Sequence, residues 1–249
     1  MIDGAHAPGM IRGLSVASYS ADWYVGNLHK WCFTLKGVAL LYAGDSVRES
    51  VTQGGIISHN WKKSFAERFF MQGTLDYSRY LSAPASIKFV NESLGGWENM
   101  QRYNSALVES GACVLESAWG QGRMLEPYET LKLEGITTPF LVVVLTPFNW
   151  KHWARMGDGV TGVEGLGESE AEAVLVEDQG IQERVANAVL QNSGVQSVFF
   201  TWKVSGEWKI CCRIAAQVYN TLEDYTRLAH SVLEVHHSRT ALPTNSSSG

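Results

Sequence analysis

Asp3-Gly-Ala-His6-Ala-Pro-Gly9 and, after a loop and a short apolar run, Gly26-Asn27-Leu-His29-Lys30-Trp31 are the two stretches that decide the reading of this chain. The run Asp22–Val25 (DWYV) reads as a short buried strand ending at Gly26. Neighbouring strands of an open α/β sheet bring their carboxyl ends to one rim, where such folds place ligands. Asp3 and Lys30 are therefore expected to converge there. Gly37–Tyr42 (GVALLY) reads as a further strand.

Working outward, Tyr77–Glu92 carries apolar residues at helical period, Leu81, Ala85, Ile87 and Phe89, with Pro84 near its start. A longer helix is expected over Trp97–Glu116, led in by Gly95-Gly96. Phe140–Leu145 (FLVVVL) is β-branched, lies between prolines and reads as a strand. Asn149–Val174 is polar and glycine-rich and reads as a long loop or insertion, and Ile181–Leu190 fits a helix. The β-rich runs Val198–Val204 and Trp208–Tyr219 flank Ser205-Gly206, a hairpin signal. Thr221 caps a last helix with Asp224 at its third position, and Leu222, Tyr225, Leu228 and Val232 form its apolar stripe. The tail from Ser238 is polar and is expected to be disordered.

Strands alternating with helices make the chain α/β. The division is placed near residue 105. Residues 1–105 read as the remnant of a large ligand-binding domain. Residues 106–237 read as a small C-terminal domain carrying the 149–174 insertion.

Composition narrows the function. The 20 basic residues are scattered and outnumbered by 25 acidic ones, leaving a net charge of −5, which argues against nucleic acid as a partner. The apolar stretch Pro139–Phe148 is about half of what a membrane span needs. Cys32, Cys113, Cys211 and Cys212 contain no CxxC pair and read as reduced, mostly buried thiols. Cys211 and Cys212 face opposite ways if they lie on a strand. These features predict a cytoplasmic protein without a membrane segment. His152, His236 and His237 read as solvated, and no third ligand is spaced to make His236-His237 a metal site.

The residue types in the two leading stretches suit one cofactor chemistry. Pyridoxal phosphate needs a lysine amine to form an imine with its aldehyde. It also needs an acid on its pyridine nitrogen, because a protonated ring is the better electron sink. Lys30 and Asp3 can supply these groups, His6 can reach the ring hydroxyl, and Asn27 and His29 can hold phosphate oxygens. Taken singly, each has a plainer reading: a solvated loop lysine, or an Asp-Gly turn.

Together, DGAHAPG and YVGNLHKW resemble the class V aminotransferase family, particularly its isopenicillin N epimerase-like branch. Gly73-Thr74-Leu-Asp76 matches that family's GTxD element, and Arg213-Ile-Ala-Ala-Gln-Val-Tyr219-Asn220-Thr221-Leu-Glu-Asp224 extends the resemblance toward the C-terminus. The resemblance implies the fold of the pyridoxal-phosphate-dependent transferases of fold type I and a homodimer. It implies Lys30 as the Schiff-base lysine, Asp3 as the ring-nitrogen partner and His6 where many relatives carry Gln. Thr74 would reach the phosphate held by a neighbouring subunit, and Arg213 would pair with the substrate α-carboxylate. Taken alone, Thr74 is also a plain turn hydroxyl and Arg213 an ordinary strand ion pair.

The activity implied acts at the α-carbon of a small amino acid by epimerisation, C–S cleavage or transamination. Family members carry a long segment before the position of Asp3, with the helix that holds the cofactor phosphate. The chain therefore reads as truncated and is expected to be inactive as this fragment, an enzyme only when complete, with a catalytically inactive fragment or dimerisation remnant as the alternative reading.

Overall fold

Apolar residues at alternate positions of Trp23–Asn27 and of Leu141–Leu145 bury one face of each strand, and each strand seeds one of two units. The units are Met1–Arg102 and Tyr103–Gly249. The structure, a computed structural model, describes residues 1–48, 59–70, 73–122, 140–154 and 179–240.

In the first unit, β1 (Ile2–Asp3) pairs in parallel with β2 (Trp23–Asn27), which pairs antiparallel with β3 (Ala39–Ala43). The register sets Asp3 beside Val25. Tyr24 is buried at the centre of this sheet, and its ring fixes the sequence opposite: a Cβ on Gly4 would lie 2.3 Å from the Tyr24 ring. Short helices follow, α1 (Leu28–Trp31), α2 (Asp45–Arg48) and α3 (Phe65–Phe70).

The helix expected over Tyr77–Glu92 is a 3-10 turn at Ser78–Leu81 and then α4 (Ser82–Ser93). Pro84 falls in the first turn of α4, where a missing N–H costs no helical bond. That helix pins the segment after α1. Ser82 Oγ accepts from Leu35 N at 3.1 Å, Ser86 Oγ donates to the Phe33 carbonyl at 2.9 Å, and the Phe33 and Phe89 rings meet edge-on at 5.3 Å. Phe33 itself sits at φ 59°, a conformation that a side chain rarely adopts without such neighbours.

Helix α5 (Trp97–Trp119) begins in the first unit and continues in the second, three residues longer than the expected Glu116 end. The second unit is built on a three-stranded antiparallel sheet in the order β4 (Leu141–Leu145), β6 (Glu207–Ala215), β5 (Val198–Val204). Val142, Val144, Phe199, Ile210, Cys212 and Ile214 turn one face into the core. Helices α5, α7 (Gln179–Ser193) and α8 (Leu222–Thr240) supply Leu115, Val185, Leu228 and Val232 against it.

The hairpin falls where the sequence places it, because Ser205 (φ 50°) and Gly206 (φ 86°) supply the two left-handed residues that a tight hairpin turn requires. At the start of α8, the Asp224 carboxylate accepts from Thr221 N at 2.9 Å.

Several expectations are corrected. Within the stretch read as a loop, Trp150–Ala154 is a helix, α6, whose Trp153 packs on Phe148. Residues 155–174, the rest of that stretch, lie outside the described residues. Strand β6 ends at Ala215 rather than at Tyr219. The tail does not begin at Ser238, because α8 runs on to Thr240, and residues 241–249 lie outside the description. His236 is partly buried against Phe148, with its pKa lowered by burial. Cys113 is exposed while the other three thiols are buried.

Candidate active site

The carboxyl ends of β1 and β2 carry the two leading sequence stretches, and the chain folds them onto each other. After Asp3 the backbone turns sharply: Asp3 Oδ1 accepts from Ala5 N at 2.9 Å, and Gly4 O accepts from Ala7 N at 2.9 Å. Asn27 N donates to Ala5 O at 3.4 Å, which keeps the two stretches side by side. The turn delivers His6 to α1, where His6 Nε2 lies 3.0 Å from Lys30 Nζ. The Trp31 indole N–H donates to His6 Nδ1 at 3.3 Å.

Helix α1 is only four residues long and is held from both sides. His29 Nδ1 lies 2.9 Å from the Val38 carbonyl, and the backbone N–H groups of Leu28 and His29 donate to the same oxygen at 3.0 and 3.2 Å. A carbonyl can only accept, so Nδ1 of His29 carries a proton and Nε2 is left facing outward from that bond. Offered an anion, Nε2 donates only when the ring is doubly protonated. Asn27 precedes α1 in extended conformation and makes no side-chain capping bond.

The donor set fits a pyridoxal phosphate site. Among the described residues no carboxylate pairs with Lys30, so the amine is not tied into an ion pair, and its hydrogen-bond partner is an imidazole. Asp3 is exposed and uses Oδ1 locally, which leaves Oδ2 for a ring nitrogen. Burial pushes the neighbouring Cys32 thiol up to about 11, so it is a poor competitor as nucleophile.

Thr74 and Arg213 take no part in the hydrogen bonds just described. Thr74 is exposed and has no side-chain hydrogen bond among the described residues. Beside it, the Asp76 carboxyl is held below its ordinary range by the hydroxyl and backbone N–H of Ser78. Arg213 belongs to the second unit. It is exposed on β6 between Val143 and Val198, and no ion pair engages it among the described residues. It lines a cleft of about 420 Å³ together with Asn220, Asp224 and Arg227.

The residue that sequence reasoning passed over is Trp31. Its position directly after Lys30, large, apolar and carrying one N–H, was the available signal, and its 6% exposure puts that N–H inside the site. Among the described residues no group of three or more His, Cys, Asp or Glu is placed to hold a metal ion. No described helix is long and apolar enough to cross a membrane.

No protein-family model matches the chain. The chain is 27% identical to the L-cysteine desulfhydrase of Arabidopsis thaliana over 238 residues, which are 94% of this chain and 47% of that protein. It is 36% identical to putative L-cysteine desulfhydrase 1 of Oryza sativa subsp. japonica over 120 residues, 48% of this chain and 25% of the relative. Among solved structures, the cysteine desulfurase CsdA of Escherichia coli superposes with a TM-score of 0.54 at 13% identity, covering 96% of this chain and 51% of CsdA. The chain thus spans about half the length of the Arabidopsis relative and of CsdA. Its fold is that of the pyridoxal-phosphate-dependent transferases of fold type I, and fold and relatives together point to pyridoxal phosphate as the cofactor.

Proposed function

We propose that this chain is part of a pyridoxal-phosphate-dependent enzyme that acts at the α-carbon of an amino acid and cleaves a carbon–sulfur bond in a cysteine-like substrate. The observation that carries the reading is the 3.0 Å contact between Lys30 Nζ and His6 Nε2, which joins the two sequence stretches at one point of the sheet rim. The choice of C–S cleavage over epimerisation or transamination is supported by the desulfhydrases among the relatives. Membership of the class V aminotransferases, close to the isopenicillin N epimerase branch, is the matching reading of the motifs.

In this reading Lys30 is the covalent attachment point. Asp3 holds the ring nitrogen in its protonated form, and His6 donates to the ring oxygen. Asn27 and His29 hold phosphate oxygens, and Thr74 reaches a phosphate across the interface of a homodimer. Bound there, pyridoxal phosphate supplies a sink for the electron pair left when the α-carbon loses its proton. Lys30, with its amine free again, is the base that moves that proton. Arg213 orients the substrate by pairing with its α-carboxylate, a bidentate task suited to the planar guanidinium.

The test has two parts. Incubation with the cofactor, borohydride reduction and peptide mapping should place the pyridoxyl mass on Lys30, and its appearance on a different lysine overturns the assignment. L-Cysteine offered to the cofactor-loaded protein should release sulfide. Inversion at the α-carbon with no sulfide would move the reaction to epimerisation.

A further inference from the structure

The turn that carries His6 has a far end, and it is held from a distance. Past Pro8 it closes on Gly9, whose carbonyl accepts from Gln101 Nε2 at 3.1 Å, across 92 positions of sequence. A carbonyl can only accept, so the NH2 side of the amide must face it. Gln101 is 4% exposed, and a buried amide is costly without a partner. We infer that Gln101 is a positioning residue of the candidate active site: its amide grips the Gly9 carbonyl and so holds the turn that brings His6 to Lys30. The inference deepens the cofactor-site reading given above and rests on it.

Two glycines seat the turn on its neighbours. A Cβ on Gly26 would come within 2.8 Å of Pro8 Cγ. A Cβ on Gly9 would come within 3.0 Å of the Trp31 carbonyl oxygen and of Cys32 Sγ. Gly9 also stands at φ 81°, where a side chain would be strained. The turn therefore lies against β2, which ends in Asn27, and against α1, which carries Lys30. Gln101 secures it from a third element, the 23-residue helix α5.

The hold on Gly9 reaches His6 through the backbone. The carbonyl of Ala7, the residue after His6, accepts from the N–H groups of Met10 and Ile11 at 3.1 and 2.9 Å, and this loop encloses Gly9. Gly9 cannot shift without disturbing the residue beside His6. One turn earlier on the same face of α5, Glu98 meets Arg12 at 3.1 Å, but both side chains are more than half exposed. Such an ion pair holds little, so the buried amide is the stronger tie. A functional constellation keeps its geometry when residues behind it lock the ones in front.

The test reads the Lys30 amine in the cofactor-free 249-residue chain. Competitive labelling with acetic anhydride across pH, followed by peptide mapping, gives the pH profile of that one lysine. His6→Ala removes the neighbour outright and sets the size of the shift that the contact produces. Gln101→Met keeps the length and loses the donor, and it should move the profile most of the way to that of His6→Ala. Glu98→Gln should leave the profile at its wild-type position. So should Val90→Ala, which loosens the same unit through a cavity at a buried position of α4. A folded Gln101→Met with the wild-type profile overturns the proposal. An equal shift in Val90→Ala overturns it too, since the effect would then be general loosening. A His6→Ala profile equal to the wild type removes the contact on which the proposal stands and overturns it as well. If Gln101→Met does not fold, NMR of the wild-type chain decides. The Gln101 side-chain N–H pair, assigned through its own backbone, should exchange slowly with solvent, and exchange at the rate of a free amide overturns the proposal. No cofactor enters these measurements, so their failure is distinct from failure of the functional reading, which is decided by the pyridoxyl label on Lys30.

Discussion

Arg213 stands in the middle of a strand with Val143 and Val198 as its cross-strand neighbours. Read from the sequence, an arginine on a strand has an ordinary alternative, an ion pair to an acid across the sheet. The register supplies two valines instead, and the guanidinium reaches a cleft with room for a small anion. Arg213→Lys keeps the charge and loses the planar fork. We expect it to weaken binding of an amino-acid substrate roughly tenfold, which corresponds to about 1.4 kcal/mol, with cofactor affinity little changed. Loss of cofactor with substrate affinity intact, measured by paired titrations, would make the residue structural. At this scale the sequence is legible for residue types and blind to partners. The motifs name Lys30 and His6, but their contact depends on the turn after Asp3, and the donation from Trp31 depends on the twist of a four-residue helix. Neither has a periodic signature.

Strand β6 carries two adjacent buried thiols that face opposite ways. Cys212 lies in the core cluster beside Ile210 and Ile214, and Cys211 is buried on the other face. Burial pushes Cys212 up to about 12, against an opposing hydrogen bond from Ser197, and Cys211 up to about 11, from an ordinary value of 9.0. In the unfolded chain both thiols lose protons near pH 9, while the folded chain keeps them. Folding stability is therefore fully present below pH 9 and falls as pH rises toward 12, at about 1.4 kcal/mol per unit for one fully shifted group. Urea unfolding followed between pH 8 and 11 should show this fall, and Cys212→Ala should flatten it. An equally steep fall in that variant would assign the effect elsewhere.

Most elements were legible because they carry local signals: a β-branched run between prolines at Leu141–Leu145, Ser205-Gly206 at the hairpin, helical spacing in α8. Helix α6 was not, because five residues are too few to show a period, and its Trp153 is held by Phe148 through tertiary packing. The end of α8 was misread for a related reason. Ser238 and Arg239 are polar, but a helix already nucleated propagates at little cost per residue.

The whole molecule adds the question of copies. The GTxD stretch leaves Thr74 exposed and without a hydrogen bond among the described residues, which suits a hydroxyl that works on a second subunit. Lys30→Ala and Thr74→Ala chains, each inactive alone, should regain activity when combined as hybrid dimers, since one of the two hybrid sites then keeps both groups. Proven hybrids with no recovery would place Thr74 outside the reaction. Fold class and cofactor chemistry are legible at this scale because they rest on several ordered motifs, whereas the spacing of motifs says nothing of which copy serves which site. The double anchoring of α1 bears on any such cycle. With His29 fastened to Val38 and Trp31 to His6, the backbone beneath Lys30 is a fixed post. In the proposed cycle the lysine would release its cargo and take it back in every round. Those excursions fall to the four methylenes of the side chain, a tether of constant length on a stationary mooring. The amine then returns to one address without the helix having to reform.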